Sequence, residues 1–395
     1  MPRSALIYQK FFPIIYKDMQ KLFDKLKRSR DRFNRVYHAT YLNTHLPYSN
    51  QPKLTQYEPK KEKFVDNAKK KGLKIIYPTD DTSPIIAHNK FENNRKTIIV
   101  ISGTHGVEGY AGADVQIEIL EKQNFDDINV IFVFGLNHWG FRHGQRYTKA
   151  NIDLNRNVLV DGTNKNTDNE YTETPTNEYY TKDINSLFQS KIGSTDDVKT
   201  FVSLALAFMG KLKNPIKAGH KIMSGQYDFS GGFEFGGDEL AIEHVYTIRN
   251  IKEIFGDKKA SELIIMDLHT GVGKQVDENT GSTYILITDD NEETKLVTPK
   301  LEPDQQSRIR QGGSGVYHVT GSVMTGYKHH LKNFVNKQTV VVTQEFATKD
   351  VREIFVSLVE RRDGNILYDL FYIDEDWWKN GIKKQGLDLY NSLVT

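Results

Sequence analysis

Two apolar, β-branched runs constrain this chain most: "TIIVISG" at 97–103 and "NVIFVFGLN" at 129–137. Neither alternates apolar with polar residues, so each reads as a strand covered on both faces, the pattern of a parallel sheet. Between them, residues 109–122 carry a helical pattern with Ala111, Val115, Ile119 and Leu120 inward. A strand–helix–strand unit of this kind predicts an α/β fold. Further strands are predicted at 73–78, 262–269, 282–288 and 338–346, and helices at 60–72, 195–214, 238–255 and 349–362. The alternation runs from about residue 73 to 362 without a linker, which predicts one catalytic domain over 61–395. Residues 1–60 read as a helical extension, with Met19, Leu22, Phe23 and Leu26 on one face of a basic amphipathic helix. Residues 161–183, rich in Thr, Asn and Asp, read as a polar surface insertion.

In a sheet of this class, function gathers just past the C-terminal ends of the strands. Four polar clusters stand there: "THGVEG" after the first run, "NHWGFRHGQRYTKANIDLNRN" after the second, "DLHTGVG" at 267–273 and "QEFAT" at 344–348. His105 and Glu108 are three residues apart in a glycine-rich turn, and His269 ends another strand. Two imidazoles and a carboxylate make the ligand set of an open catalytic zinc site, where water completes the tetrahedron. An isolated H-x-x-E carries little weight, since Glu108 alone would suit a helix N-terminus and His269 alone a core. The joint placement at strand ends is what points to metal. A phosphate loop is excluded, because "SGTHGVEGYAG" holds neither G-x-x-x-x-G-K-[ST] nor G-x-G-x-x-G. Asp267, two residues before His269 on the same strand face, is placed to orient its neighbours.

Composition narrows the partners. Lys and Arg total 53 against 51 Asp and Glu, a net charge of +2, which gives no footprint for nucleic acid. Cysteine is absent, so any metal must be held by His, Asp or Glu; the absence also fits a reducing, cytoplasmic setting. No apolar run approaches the ~20 residues that span a bilayer, so no transmembrane segment is expected.

The motifs "SGTHGVEGYAG", "NIDLNRN", "GQY…GGFEFGG", "DLHTGVG" and "TQEFAT", in this order, resemble the DUF2817 family. That family belongs to the M14-type zinc carboxypeptidase-like superfamily, with the succinylglutamate desuccinylase/aspartoacylase group. The resemblance covers roughly residues 95–365. It implies a phosphorylase/hydrolase-like α/β fold: a mixed, mostly parallel sheet flanked by helices. It implies zinc (Zn2+) on His105, Glu108 and His269, and a catalytic carboxylate at Glu345. Arg146 would steady the oxyanion, with Arg142 a nearby competitor for the role. Asn155 and Arg156 would hold a substrate carboxylate, and Asp153 would accept a hydrogen bond from His105.

The implied activity is zinc-dependent amide hydrolysis of carboxypeptidase type on peptides. Deacylation of small N-acyl amino acids is the alternative, and a non-catalytic peptide-binding module a third. The chain departs from the family's "NPYGF" at His138 and from its "EFGT" at Ala347, which bears on local loop shape. Tyr227, Tyr317 and Tyr327 are candidates for a tyrosine over the substrate, and spacing selects none of them.

Overall fold

The structure is a computed structural model that describes residues 56–78, 80–160, 174–182, 185, 221, 223–271, 278, 281–311, 319–348 and 366–395. The helices predicted at 195–214 and 349–362, the amphipathic helix of the extension, most of the insertion, and Tyr317 lie outside the described residues.

Eight strands form one sheet: β1 Lys74–Ile76, β2 Ile85–His88, β3 Thr97–Ser102, β4 Asn129–Phe134, β5 Leu263–Gly271, β6 Tyr284–Thr288, β7 Ile309–Gln311 and β8 Thr339–Ala347. Their order is β1-β2-β4-β3-β5-β8-β6-β7. The central four, β4-β3-β5-β8, are parallel, while β2 and β6 join them antiparallel. The sheet is therefore mixed, with a parallel heart where the sequence is most uniformly apolar. Every residue of β3, β4 and β5 is buried.

Alternate residues of β3 serve two cores. Ile98 and Val100 face a layer with Phe64, Val115, Ile119 and Leu389. Ile99 and Ile101 face a layer with Ile248, Ile251, Phe255 and Tyr327. The first layer is built by helices α1 Tyr57–Lys70, α2 Gly109–Lys122 and, later in the chain, Asp376–Val394. The second is built by α3 Ile242–Phe255 and α4 Val323–Leu331; the C-terminal helix is α5. Fully burying one such aliphatic side chain contributes about 1.5–3 kcal/mol, so the two-sided covering of β3 to β5 dominates the stability of the sheet. No described helix is long and apolar enough to cross a membrane.

Several elements differ from the sequence reading. Helix α1 begins at Tyr57, within the segment read as an extension, and is part of the first core layer. Helix α3 begins at Ile242 rather than at 238. The Asn157 side chain explains that start: its Nδ2 donates to the Gly236 and Glu239 carbonyls and its Oδ1 accepts from Ala241 N–H at 2.7 Å. Those three backbone groups are satisfied in that non-helical path. Strands β2 and β7 are too short to be predicted from pattern alone, and helix α4 is not among the predicted helices. Helix α5 is also missed, although its buried Trp378, Ile382, Leu389 and Leu393 repeat at helical spacing.

β3 pairs with β4 on one side and β5 on the other, so the connections leaving β3 and β4 diverge. This makes a switch point at the C-terminal ends of β3 and β5, where an open α/β sheet forms its crevice. Gly112 brings α2 down onto that end: a Cβ there would lie 2.6 Å from the Ser102 Cβ.

Candidate metal and catalytic site

The turn after β3 places His105 and Glu108 beside the end of β5. His105 precedes a short 3-10 turn, Gly106–Glu108, that leads directly into α2. One His105 Nδ1 to Glu108 Oε1 contact measures 2.8 Å, and His269 Nδ1 lies 3.2 Å from Glu108 Oε2. Ligand atoms of His105, Glu108 and His269 all lie within 4.8 Å of one another, and the three residues are buried.

The outer face of each imidazole is held by a carboxylate. His105 Nε2 is 3.2 Å from Asp153 Oδ1, and His269 Nε2 is 2.8 Å from Asp267 Oδ2. An N–H pinned to a carboxylate leaves the opposite nitrogen as the lone-pair face, which is how proteins orient metal-binding histidines. Both Nδ1 atoms thus converge on Glu108, and the donor set fits a divalent cation taken by imidazole and carboxylate. Burial alone would push the Glu108 carboxyl up. The charge and hydrogen bonds of His105 and His269 outweigh it and hold the group well below the usual carboxylate range. Glu108 Oε2 also accepts from Thr270 N–H at 2.8 Å, and Thr104 Oγ1 donates to Asp267 Oδ1 at 3.0 Å.

Glu345 stands on β8 directly opposite His269 in the parallel register. Its carboxylate lies across Gly271, where any side chain would collide with it. Burial pushes its carboxyl up from the ordinary value, partly offset by the nearby His269.

Arg146 reaches the same site. Its Nη1 lies 3.3 Å from Glu108 Oε1, and its Nη2 lies 3.4 Å from Asp153 Oδ2 and 3.3 Å from Glu234 Oε1. Its Nε is buried and has no hydrogen-bond partner among the described residues. Arg142, by contrast, is half exposed and lies 3.9 Å from Glu58.

Asp153 caps the turn Leu154–Arg156, accepting from Asn155 N–H at 2.8 Å. Asn155 Oδ1 accepts from Val323 N–H at 3.1 Å, leaving its NH2 end as the donor. Arg156 is fully buried. Its Nε and Nη2 donate to the Met223 carbonyl, its Nη1 to the Asn155 carbonyl, and Nη2 lies 2.8 Å from Glu234 Oε2.

Glu234, within "GGFEFGG", is the residue sequence reading passed over. It is fully buried between the two arginines, and its backbone sits at φ 54. Burial pushes its carboxyl up to about 7, against the pull of Arg156 and Arg146. The signal was present: it is the one ionisable residue between Gly231 and Gly237, in a stretch otherwise apolar.

Of the tyrosine candidates, Tyr227 donates to the Arg156 carbonyl at 2.5 Å and Tyr327 contacts His244 at 3.1 Å. Both are buried in packing. His138 opens a short helix and its Nε2 meets Tyr57 OH at 2.5 Å, while the Ala347 carbonyl accepts from Trp378 Nε1 at 3.0 Å.

His244 supports the site from below, its Nε2 facing the Leu154 carbonyl at 2.9 Å. Burial pushes its imidazole down to about 4, and that of His138 likewise to about 4. Both groups bind a proton in the unfolded chain near pH 6.5 but resist it when folded. Their stabilising contribution is therefore complete above pH 6.5 and is lost as pH falls from 6.5 through 4. Each such group carries at most about 3 kcal/mol. Urea midpoints should fall over this window, and His244→Gln should flatten part of that slope; an unchanged slope would remove His244 from the account.

The family described as a protein of unknown function, DUF2817, matches residues 54–385, most of the chain. The chain belongs to the DUF2817 family. No curated protein matches it. Among solved structures, this DUF2817 protein is similar to bovine thrombin-activatable fibrinolysis inhibitor in complex with tick carboxypeptidase inhibitor, with 11% identity, 88% of this chain and 97% of that one covered, and a TM-score of 0.43. It is also similar to the succinylglutamate desuccinylase from Chromobacterium violaceum, with 12% identity, coverage of 84% and 73%, and a TM-score of 0.39. A metallo-carboxypeptidase from Burkholderia cenocepacia matches with 9% identity, coverage of 85% and 68%, and a TM-score of 0.37.

Proposed function

We propose that this DUF2817 protein is a zinc-dependent hydrolase of amide bonds, of carboxypeptidase type, cleaving a peptide next to a free carboxylate. One observation carries the reading: two imidazoles, each pinned by its own carboxylate, turn their Nδ1 atoms toward Glu108 at the switch point of the sheet. His105, Glu108 and His269 would hold the zinc ion. When bound, the ion supplies Lewis acidity toward a carbonyl and lowers the pKa of water.

The chain's own residues supply the remainder. Glu345 takes a proton from the attacking water and returns it to the leaving amine, a role suited to a half-buried carboxylate with a raised pKa. Arg146, held by Glu108 and Asp153, places its positive charge beside the site, where it would balance negative charge developing on the carbonyl oxygen. Asn155 and Arg156 hold the substrate's carboxylate, the guanidinium suiting it as a planar fork.

The test is metal analysis of the purified protein followed by a hydrolysis screen. The substrates are N-blocked dipeptides, N-acyl amino acids and their carboxamides, with and without chelator. Chelator-sensitive cleavage of the dipeptides is expected. Cleavage confined to N-acyl amino acids would replace the peptidase reading with a deacylase. Absence of zinc and of any cleavage would overturn the proposal.

A further inference from the structure

The Arg146–Arg156 pair already holds a carboxylate, and it belongs to the protein. Glu234 Oε1 lies 3.3 Å from Arg146 Nη2 and Oε2 lies 2.8 Å from Arg156 Nη2, with Tyr147 OH 3.5 Å from Oε1. We propose that Glu234 is an internal stand-in for the substrate's carboxylate, which enters by displacing it. This deepens the function proposed above and rests on its assignment of Arg156 to the substrate's carboxylate.

Three features favour a displaceable group over a fixed one. First, three buried carboxylates, Glu108, Asp153 and Glu234, share two guanidinium groups. Glu108 has the two imidazoles and Thr270 N–H, and Asp153 has His105 and Asn155 N–H. Glu234 has the arginines, a long contact to Tyr147 and a hydrogen bond with the Asp153 carboxyl, a neighbour whose charge opposes its own. Among the described residues it is the one of the three whose carboxylate takes neither an imidazole nor a backbone N–H.

Second, Arg156 does not need Glu234 to stay in place. Its Nε, Nη1 and part of Nη2 are tied to the Met223 and Asn155 carbonyls. The edge turned to Glu234 is the edge an incoming carboxylate would use.

Third, Glu234 holds a left-handed backbone, φ 54, which a side chain with a Cβ adopts only under constraint. Release of the carboxylate would allow the loop to relax. Until then, the internal carboxylate competes with the substrate for the same donors, which weakens binding of any ligand whose affinity depends on a carboxylate. A ligand without one is unaffected by that competition.

The experiment measures calorimetric binding of N-acetylphenylalanine and of its carboxamide to the zinc-loaded wild type, Glu234→Gln and Glu234→Asp. Zinc content and thermal midpoint are recorded for each, so that a variant that fails to fold is recognised. Gln removes the competing charge; Asp keeps it but withdraws it by one methylene. The acid should bind at least about tenfold more tightly to either variant than to wild type, with the carboxamide changed less than about twofold; each tenfold is about 1.4 kcal/mol. Equal or weaker binding of the acid by a folded variant overturns the proposal. The readout is binding, so a protein that binds the acid as expected yet cleaves no amide would defeat the proposed function and leave this inference standing.

Discussion

Glu345→Gln should lower kcat by about 10²–10⁴-fold, the usual contribution of a positioned general base, while zinc stays bound at full stoichiometry. The substitution keeps the shape of the side chain lying across Gly271 and removes only its capacity to accept a proton. KM should change little, because Glu345 is assigned no role in holding the substrate carboxylate. Steady-state kinetics on the best dipeptide, beside metal analysis of the same preparation, checks this. A kcat within about tenfold of wild type would remove Glu345 from the chemistry. It would also reopen the reading of the protein as a non-catalytic peptide-binding module, since binding alone requires no general base.

His269→Ala should abolish stoichiometric zinc and with it all chelator-sensitive activity. The loss should exceed the ~10–100-fold in affinity that removal of an outer hydrogen-bond partner brings, the effect expected for Asp267→Asn. Both positions lie in β5, whose pairing with β3 and β8 runs through backbone hydrogen bonds that these substitutions leave intact. The fold should therefore survive, as circular dichroism would report. Full zinc occupancy in a folded His269→Ala variant would sink the ligand assignment.

Much of the architecture was legible in the chain because burial on two faces leaves a plain mark. β3 and β4 are written as nearly unbroken apolar runs, and β5 and β8 open on apolar runs at Leu263–Met266 and Val340–Val342; such runs belong in the middle of a covered sheet. The polar clusters after those runs were legible for the same reason. A His or Glu that follows an apolar run stands out against it, as His105, Glu108, His269 and Glu345 do.

The edges were not legible. β7 spans three half-buried residues, and its pairing with β6 depends on backbone hydrogen bonds that any residue but proline can make. Nor does sequence order state that β5 pairs with β3 although more than a hundred residues separate them. Chain pattern by itself determined that this protein has a parallel α/β core with imidazoles and carboxylates at its strand ends. The family resemblance already implied the Asp153–His105 contact; only the tertiary structure decided that Asp267 pins His269 and that Glu234 lies between Arg146 and Arg156. Periodicity records whether a residue is buried, because burial is a property of the residue and its element. It does not record which distant side chain neutralises a buried charge, because that depends on how separate elements come together.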